Sequence, residues 1–466
     1  MSKIYRSNIE NILDLTSTQQ GILFHYLNDD DSKEYHEQLS LTISGNVRVD
    51  LLQKSWDFVI DTNEMLRTVF KCKGIDKPIQ IVLKKHEVQI QYVDITNKKD
   101  IQKTLENIKS EDLNNRIDIT NETLRVYLCK LDDSKFEMII SNHHISYDGW
   151  SNGIILKELM EFYNYLYEGK EIRKTNKTKF SEFIKFTKSL NKDEQKEHWV
   201  NYLEDLGEIK DYFYCKENRG ISKEISYKID TFKTNKIKDF AKENKVSLSS
   251  LLYGAWGVLS QKLINSNEVL FGTTVSGRTD SIKSIDSMVG LFINVIPLRV
   301  KSESKTTFMD LIHKVDIALN ERKDFENTSL VDIKEYCGLR TNEDIFNSIV
   351  TIENYPLDLS SNTGNVLTID KFHAIGKTNY NMALDILTFE DIEFKFKFNS
   401  TAINEKMVKR LGGYLERIIY TLLVNKNIEL SEIELLSEEE KNQILYEFND
   451  TKADYPKEKT IQELFE

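Results

Sequence analysis

Strand-period and helix-period segments alternate along this chain, and the alternation runs through twice. Residues 36–44 alternate through Leu39, Leu41 and Ile43, as a half-buried strand does. Residues 50–60 then put Leu51, Leu52, Trp56 and Val59 on one helical face. Further strands are expected at 66–72, 79–83, 124–131 and 136–145, with helices at 15–27 and 100–109 and a strongly amphipathic one at 153–167. Near residue 170 the composition turns basic, then helical and acidic up to about 206, which marks the best internal boundary. Beyond it the same grammar returns. Strands are expected at 225–229, 269–275, 291–300, 346–352, 382–387 and 392–398. Helices are expected at 236–243, from Ser247 to 263, and at 308–322 and 406–423. The pattern predicts mixed α and β structure in two lobes, at 1–170 and 171–449, followed by a linker-like tail at 450–466.

Charge and cysteine usage narrow the function. Among 466 residues, 75 acidic against 63 basic side chains leave a net charge of −12, which argues against a nucleic-acid or anionic-membrane partner. The four cysteines, Cys72, Cys129, Cys215 and Cys337, have neither disulfide-framework nor zinc spacing. No run of about 18 apolar residues occurs and no signal-like segment opens the chain, so a cytoplasmic protein is expected.

Common catalytic motifs are missing. There is no Gly-x-Ser-x-Gly elbow and no Gly-x-Gly-x-x-Gly after a strand. Gly376-Lys377-Thr378 resembles the end of a phosphate loop, but Lys371 stands where that loop needs glycine. Of eight histidines, only His143 and His144 cluster with other polar groups, in Ser141-Asn-His143-His144-Ile-Ser-Tyr-Asp148-Gly149-Trp150-Ser151. This segment joins an apolar strand to the amphipathic helix. Neighbouring side chains on a strand face opposite ways, so one histidine can face a cleft while the other packs inside. The same divergence disfavours a metal held by His143, His144 and Asp148. Asp148 also suits a plain helix N-cap, which leaves a structural reading open.

These residues resemble the His-His-x-x-x-Asp-Gly signature of the condensation domains of nonribosomal peptide synthetases, in the chloramphenicol acetyltransferase-like superfamily. Further segments resemble the family's other motifs in the same order: 15–25 around Gln19, 65–70 around Arg67, Ser276-Gly277-Arg278, 288–299 around Asn294, 345–356 and 378–380. Ser17, Asn63 and Thr279 replace the family's usual Pro, His and Pro. The tail, with Pro456 and 460–466, resembles the junction to an adenylation domain.

The resemblance implies two chloramphenicol acetyltransferase-like lobes forming a V-shaped pseudo-dimer around a central tunnel. It implies amide-bond formation between a donor thioester and an acceptor's α-amine. Both substrates would ride on 4'-phosphopantetheine arms of donor and acceptor peptidyl carrier proteins. The chain itself would bind no cofactor and no metal, and an adenylation domain would follow in cis. Because Met1 lies close to the first motif, the donor is expected from a separate upstream protein. The implied site is His143, His144, Asp148 and Gly149. His144 would face the tunnel and either take a proton from the amine or orient it. His143 and Asp148 would be structural, Arg278 would pair with Asp148, and Gly149 would keep the channel open. Trp150, Ser151 and Asn294 would line the substrate channel. Two alternatives share the fold: a free-standing coenzyme A-dependent acyltransferase, and a catalytically silent recruitment domain.

Overall fold

A computed structural model describes residues 5–28, 34–172, 176–206, 212–213, 222–339, 345–353, 366–376, 380–452 and 456–465. The first lobe opens with β1 (Ile9–Asp14), α1 (Ser17–Asn28) and β2 (His36–Gly45), followed by α2 (Val49–Thr62). Then come β3 (Thr68–Lys71), β4 (Ile79–Leu83), β5 (Ile90–Asp94) and α3 (Ile101–Asn114). The hairpin of β6 (Leu124–Lys130) and β7 (Lys135–His143) leads into α4 (Gly149–Tyr167). Two connecting helices, α5 (Phe180–Ser189) and α6 (Lys192–Tyr202), reach the second lobe.

That lobe holds β8 (Ser222–Ile229), α7 (Thr231–Glu243), α8 (Leu248–Ile264), β9 (Glu268–Val275) and β10 (Asn294–Lys301). The chain continues through α9 (Phe308–Glu321), α10 (Leu330–Tyr336), β11 (Ser348–Glu353), β12 (Leu367–Gly376), β13 (Met382–Leu387) and β14 (Ile392–Asn399). Helix α11 (Glu405–Val424) packs on it. The short helices α12 (Glu438–Asn442) and α13 (Ile461–Phe465) follow. Among the described residues no helix is long and apolar enough to cross a membrane.

Each lobe is built on a mixed sheet. The first has strand order β12-β2-β7-β6-β5, antiparallel except for the parallel β5–β6 pair. The second has order β10-β9-β11-β13-β14-β8, with β11 parallel to both neighbours. Strands β1, β4 and β3 form a small separate sheet. Trp56 is wholly buried in the first core and Trp256 in the second. Helix α8 is apolar around most of its circumference because it lies inside its lobe rather than on it. Its N-cap is Ser247, as expected from sequence, with Oγ accepting Ser250 N–H at 3.0 Å.

The cores are shared out differently from the chain. Phe180, Phe183, Met288, Leu291, Phe292, Leu367 and Ile369 all belong to the first lobe's core. Strand β12 crosses back to pair with β2, Gly376 opposite Glu37. The sequence reading missed β12 because a bulge between Ile369 and Lys371 breaks its period of two. The expected strand at 66–72 is shorter than read: Glu64–Arg67 is a 3-10 turn, and only β3 is extended.

Candidate active site

Strand β7 ends at His143, and the next five residues turn the chain into α4. Two contacts fix that turn from outside. His144 N–H donates to Tyr35 O at 2.8 Å, and Gln19 Nε2 donates to Ile145 O at 3.1 Å. Gln19, fully buried, therefore shapes the site loop from the first motif. Arg67 lies elsewhere, on Glu10 and Leu83 O.

The two histidines separate as the strand geometry requires. His143 is 2% exposed, with Nδ1 accepting Ile145 N–H at 3.3 Å and its ring set edge-on to Tyr26. Burial, reinforced by His144, His36 and Arg116, pushes its pKa down to about 3. An unfolded histidine near 6.5 takes a proton that folded His143 refuses, so stability should fall as pH drops through that window. In urea melts, the stability advantage of wild type over His143→Gln is expected to narrow between pH 7 and pH 4. A gap independent of pH would contradict a neutral buried imidazole.

His144 turns the other way. Its Nδ1 lies 2.9 Å from Tyr147 O, and a carbonyl can only accept, so Nδ1 carries the hydrogen. In the neutral ring Nε2 then holds a free lone pair. Glu37 Oε1 stands 3.7 Å from Nε2. Burial opposes charge on this ring, but Glu37, the Tyr147 carbonyl and Asp148 outweigh it and raise its pKa.

Asp148 ties the lobes together. As N-cap of α4, its Oδ1 accepts Ser151 N–H at 3.0 Å. Its Oδ2 accepts Phe292 N–H at 3.0 Å and Ile293 N–H at 3.4 Å. Its own N–H donates to Gly290 O. Arg278 Nη2 meets Oδ1 at 3.4 Å, with both side chains 3% exposed. The guanidinium is held further by the Met288 carbonyl at 3.0 Å, and it lies over the Phe292 ring at 4.1 Å. Gly277 explains how Arg278 gets there: its φ of +62° is open to glycine, and a Cβ would sit 1.9 Å from Phe292 O.

A cavity of about 1500 Å³ runs between the lobes, lined by His144, Gly149, Trp150 and Glu37 on one side and Asn294, Arg322 and Lys397 on the other. Trp150 also donates to Asp286 O at 3.3 Å. Asn294 reaches the cavity, but its amide is engaged with the Glu326 and Thr328 carbonyls. Ser151 corrects the sequence reading. It is fully buried and does not line the channel; its Oγ lies 2.9 Å from Asp148 Oδ1 and accepts Gly290 N–H at 3.1 Å. Ser151 follows Trp150 by one residue, about 100° around the helix, and that rotation carries it into the lobe seam. Among the described residues no group of three or more His, Cys, Asp and Glu is placed to hold a metal.

Glu37 was missed from sequence, although the signal was present. Leu39, Leu41 and Ile43 form the core-facing row of β2, and position 37 continues that row with a carboxylate.

Comparison with known proteins agrees with this geometry. The family model described as "Condensation domain" matches residues 9–445. Tyrocidine synthase 3 of Brevibacillus parabrevis is 30% identical over 98% of this chain, which spans 7% of that protein's length. Bacitracin synthase 1 of Bacillus licheniformis is also 30% identical over 98% of the chain, which spans 9% of its length. The starter condensation domain of rhizomide synthetase superposes with TM-score 0.79 at 15% identity, covering 91% of this chain and 98% of that one. The first condensation domain of the calcium-dependent antibiotic synthetase gives 0.78 at 15% identity, covering 92% and 100%.

Proposed function

Because this chain belongs to the Condensation domain family, we propose that it joins a donor acyl or peptidyl thioester to the α-amine of an acceptor aminoacyl thioester. The observation that carries this reading is His144, whose hydrogen-bearing Nδ1 is fixed on Tyr147 O while Nε2 lines the cavity between the lobes. In the reaction the amine nitrogen forms the C–N bond as the thioester C–S bond breaks. Nitrogen loses a proton and sulfur gains one, so amine and thioester become amide and thiol. His144 Nε2 is placed to carry that proton. The backbone N–H groups that open α4 at Gly149 and Trp150 have no intrahelical acceptor, and we assign them to the developing oxyanion.

The donor and acceptor peptidyl carrier proteins are the partners in this reading, and their 4'-phosphopantetheine arms bring both substrates into the cavity. The chain needs no cofactor of its own. Residues 1–170 and 171–449 form one two-lobed catalytic unit. Residues 450–466 lead to an adenylation domain in cis, and the location is cytoplasmic. The test is to mix the protein with loaded donor and acceptor carriers and weigh the acceptor by mass spectrometry. Amide on the acceptor is expected; its absence with every loaded pair would end this reading. Gly149→Leu should block that product while leaving the melting curve in place, since residue 149 lines the cavity beside His144. Undiminished turnover would put the channel elsewhere.

A further inference from the structure

The apolar row of β2 ends in a carboxylate where the strand meets the cavity. Glu37 projects from β2 beyond Leu39, Leu41 and Ile43 into the cavity, between β12, where Gly376 pairs with it, and β7, which leads to His144. Among the described residues, the basic side chain standing within 4.0 Å of its carboxylate is His144. That pair does not satisfy it: 3.7 Å is beyond hydrogen-bond reach, and in the neutral ring that the reaction requires Nε2 has no hydrogen to give. The second oxygen, Oε2, is buried and has no hydrogen-bond partner among the described residues. The Tyr147 hydroxyl, near enough to feel the charge of Glu37, is buried and unpartnered in the same way. The Glu37 side chain keeps 26% of its surface exposed toward the cavity, but a buried carboxylate oxygen left without a donor is costly unless one completes it.

We propose that Glu37 is a substrate-binding residue that anchors the acceptor's α-ammonium, taking one of its N–H groups while His144 Nε2 takes another. The spacing suits such a bridge. A nitrogen at about 2.9 Å, the ordinary hydrogen-bond distance, reaches Oε1 and Nε2 together across their 3.7 Å gap. An α-amine is largely protonated at neutral pH, with a pKa of about 8, so it arrives as the cation the carboxylate selects. Nε2 then removes one proton, and the freed lone pair forms the C–N bond while the C–S bond breaks. The resulting imidazolium lies beside the Glu37 side chain, 3.7 Å from Nε2 to Oε1. Nitrogen loses two protons in all: the second offsets the one that sulfur gains, and the imidazolium returns the first to solvent, so ammonium and thioester become amide, thiol and one released proton with no oxidant or further reactant required. The site is thereby specific for acceptors that present a charged amine. This assignment rests on the condensation reading for the identity of the amine's carrier.

Binding tests it without turnover. A panel of aminoacyl-pantetheine amides, which cannot react as thioesters, is titrated calorimetrically into the full chain, and the tightest member is paired with its N-acetyl derivative. Wild type should prefer the free amine by about tenfold or more, the worth of a hydrogen bond to a charged group. E37Q should erase that preference and E37D should retain it, with both variants melting as wild type. A preference that survives in E37Q overturns the assignment, as does an equal loss of both ligands, because that would make Glu37 a matter of shape. No preference in wild type overturns it as well. Amide formation from loaded carriers is measured in parallel. Failure there with an intact amine preference would sink the condensation reading and leave the anchor standing.

Discussion

His144→Ala is expected to lower amide formation by about 10²- to 10⁴-fold with little change in the melting transition. The size follows from what the ring does. Removing it takes away the acceptor of the amine's proton, while Asp148 still caps α4 and the lobe seam stays closed. The side chain is 19% exposed on the cavity wall, so its loss leaves no sealed core void. Wild-type rate should also rise with pH through a midpoint above the ordinary histidine value. Protonated His144 cannot take a proton, and Glu37, the Tyr147 carbonyl and Asp148 hold it protonated longer than usual. Tyr35 packs against this ring and His143 is its neighbour in the chain; His143 stays neutral down to about 3, and burial pushes the Tyr35 phenol up, so neither titrates within that range. Quenched-flow assays on loaded carriers give both numbers. Undiminished product from His144→Ala would remove it from the mechanism.

Asp148→Ala should be the most damaging substitution to stability, at about 3–5 kcal/mol. It strips the N-cap from α4, leaves the Phe292 N–H unpaired, and strands the buried Arg278 guanidinium without its counter-charge. Burial pulls the pKa of Arg278 down against the pull of Asp148, and with 3% of its side chain exposed little water can take that partner's place. Arg278→Ala should cost less, because Asp148 keeps the Ser151, Phe292 and Ile293 N–H groups. The double variant should cost less than the two single losses added, because once one charge is gone the other is already unpaired. Urea denaturation measures all three. Strict additivity would mean that the two side chains do not act as a pair.

Much of the site could be read because it is local in sequence. His143, His144, Asp148 and Gly149 occupy one strand-to-helix turn, where alternation separates the histidines and the helix start selects Asp148. The Asp148–Arg278 contact was expected from the family resemblance rather than from any local signal. Ser151 was misplaced because helix phase, which carried it into the seam, depends on where the second lobe sits. Strand β12 was invisible for a related reason. Its bulge spoils the alternation, and its partner β2 is more than 300 positions away.

By itself, then, the sequence determined the mixed α and β lobes, the caps, and the histidine turn, because hydrophobic period and capping chemistry act over a few residues. The tertiary structure decided the rest. It brings Gly290 and Phe292 onto Asp148, carries β12 across to β2, and sets Glu37 against His144. Each of these depends on pairing between distant segments, for which local periodicity carries no register.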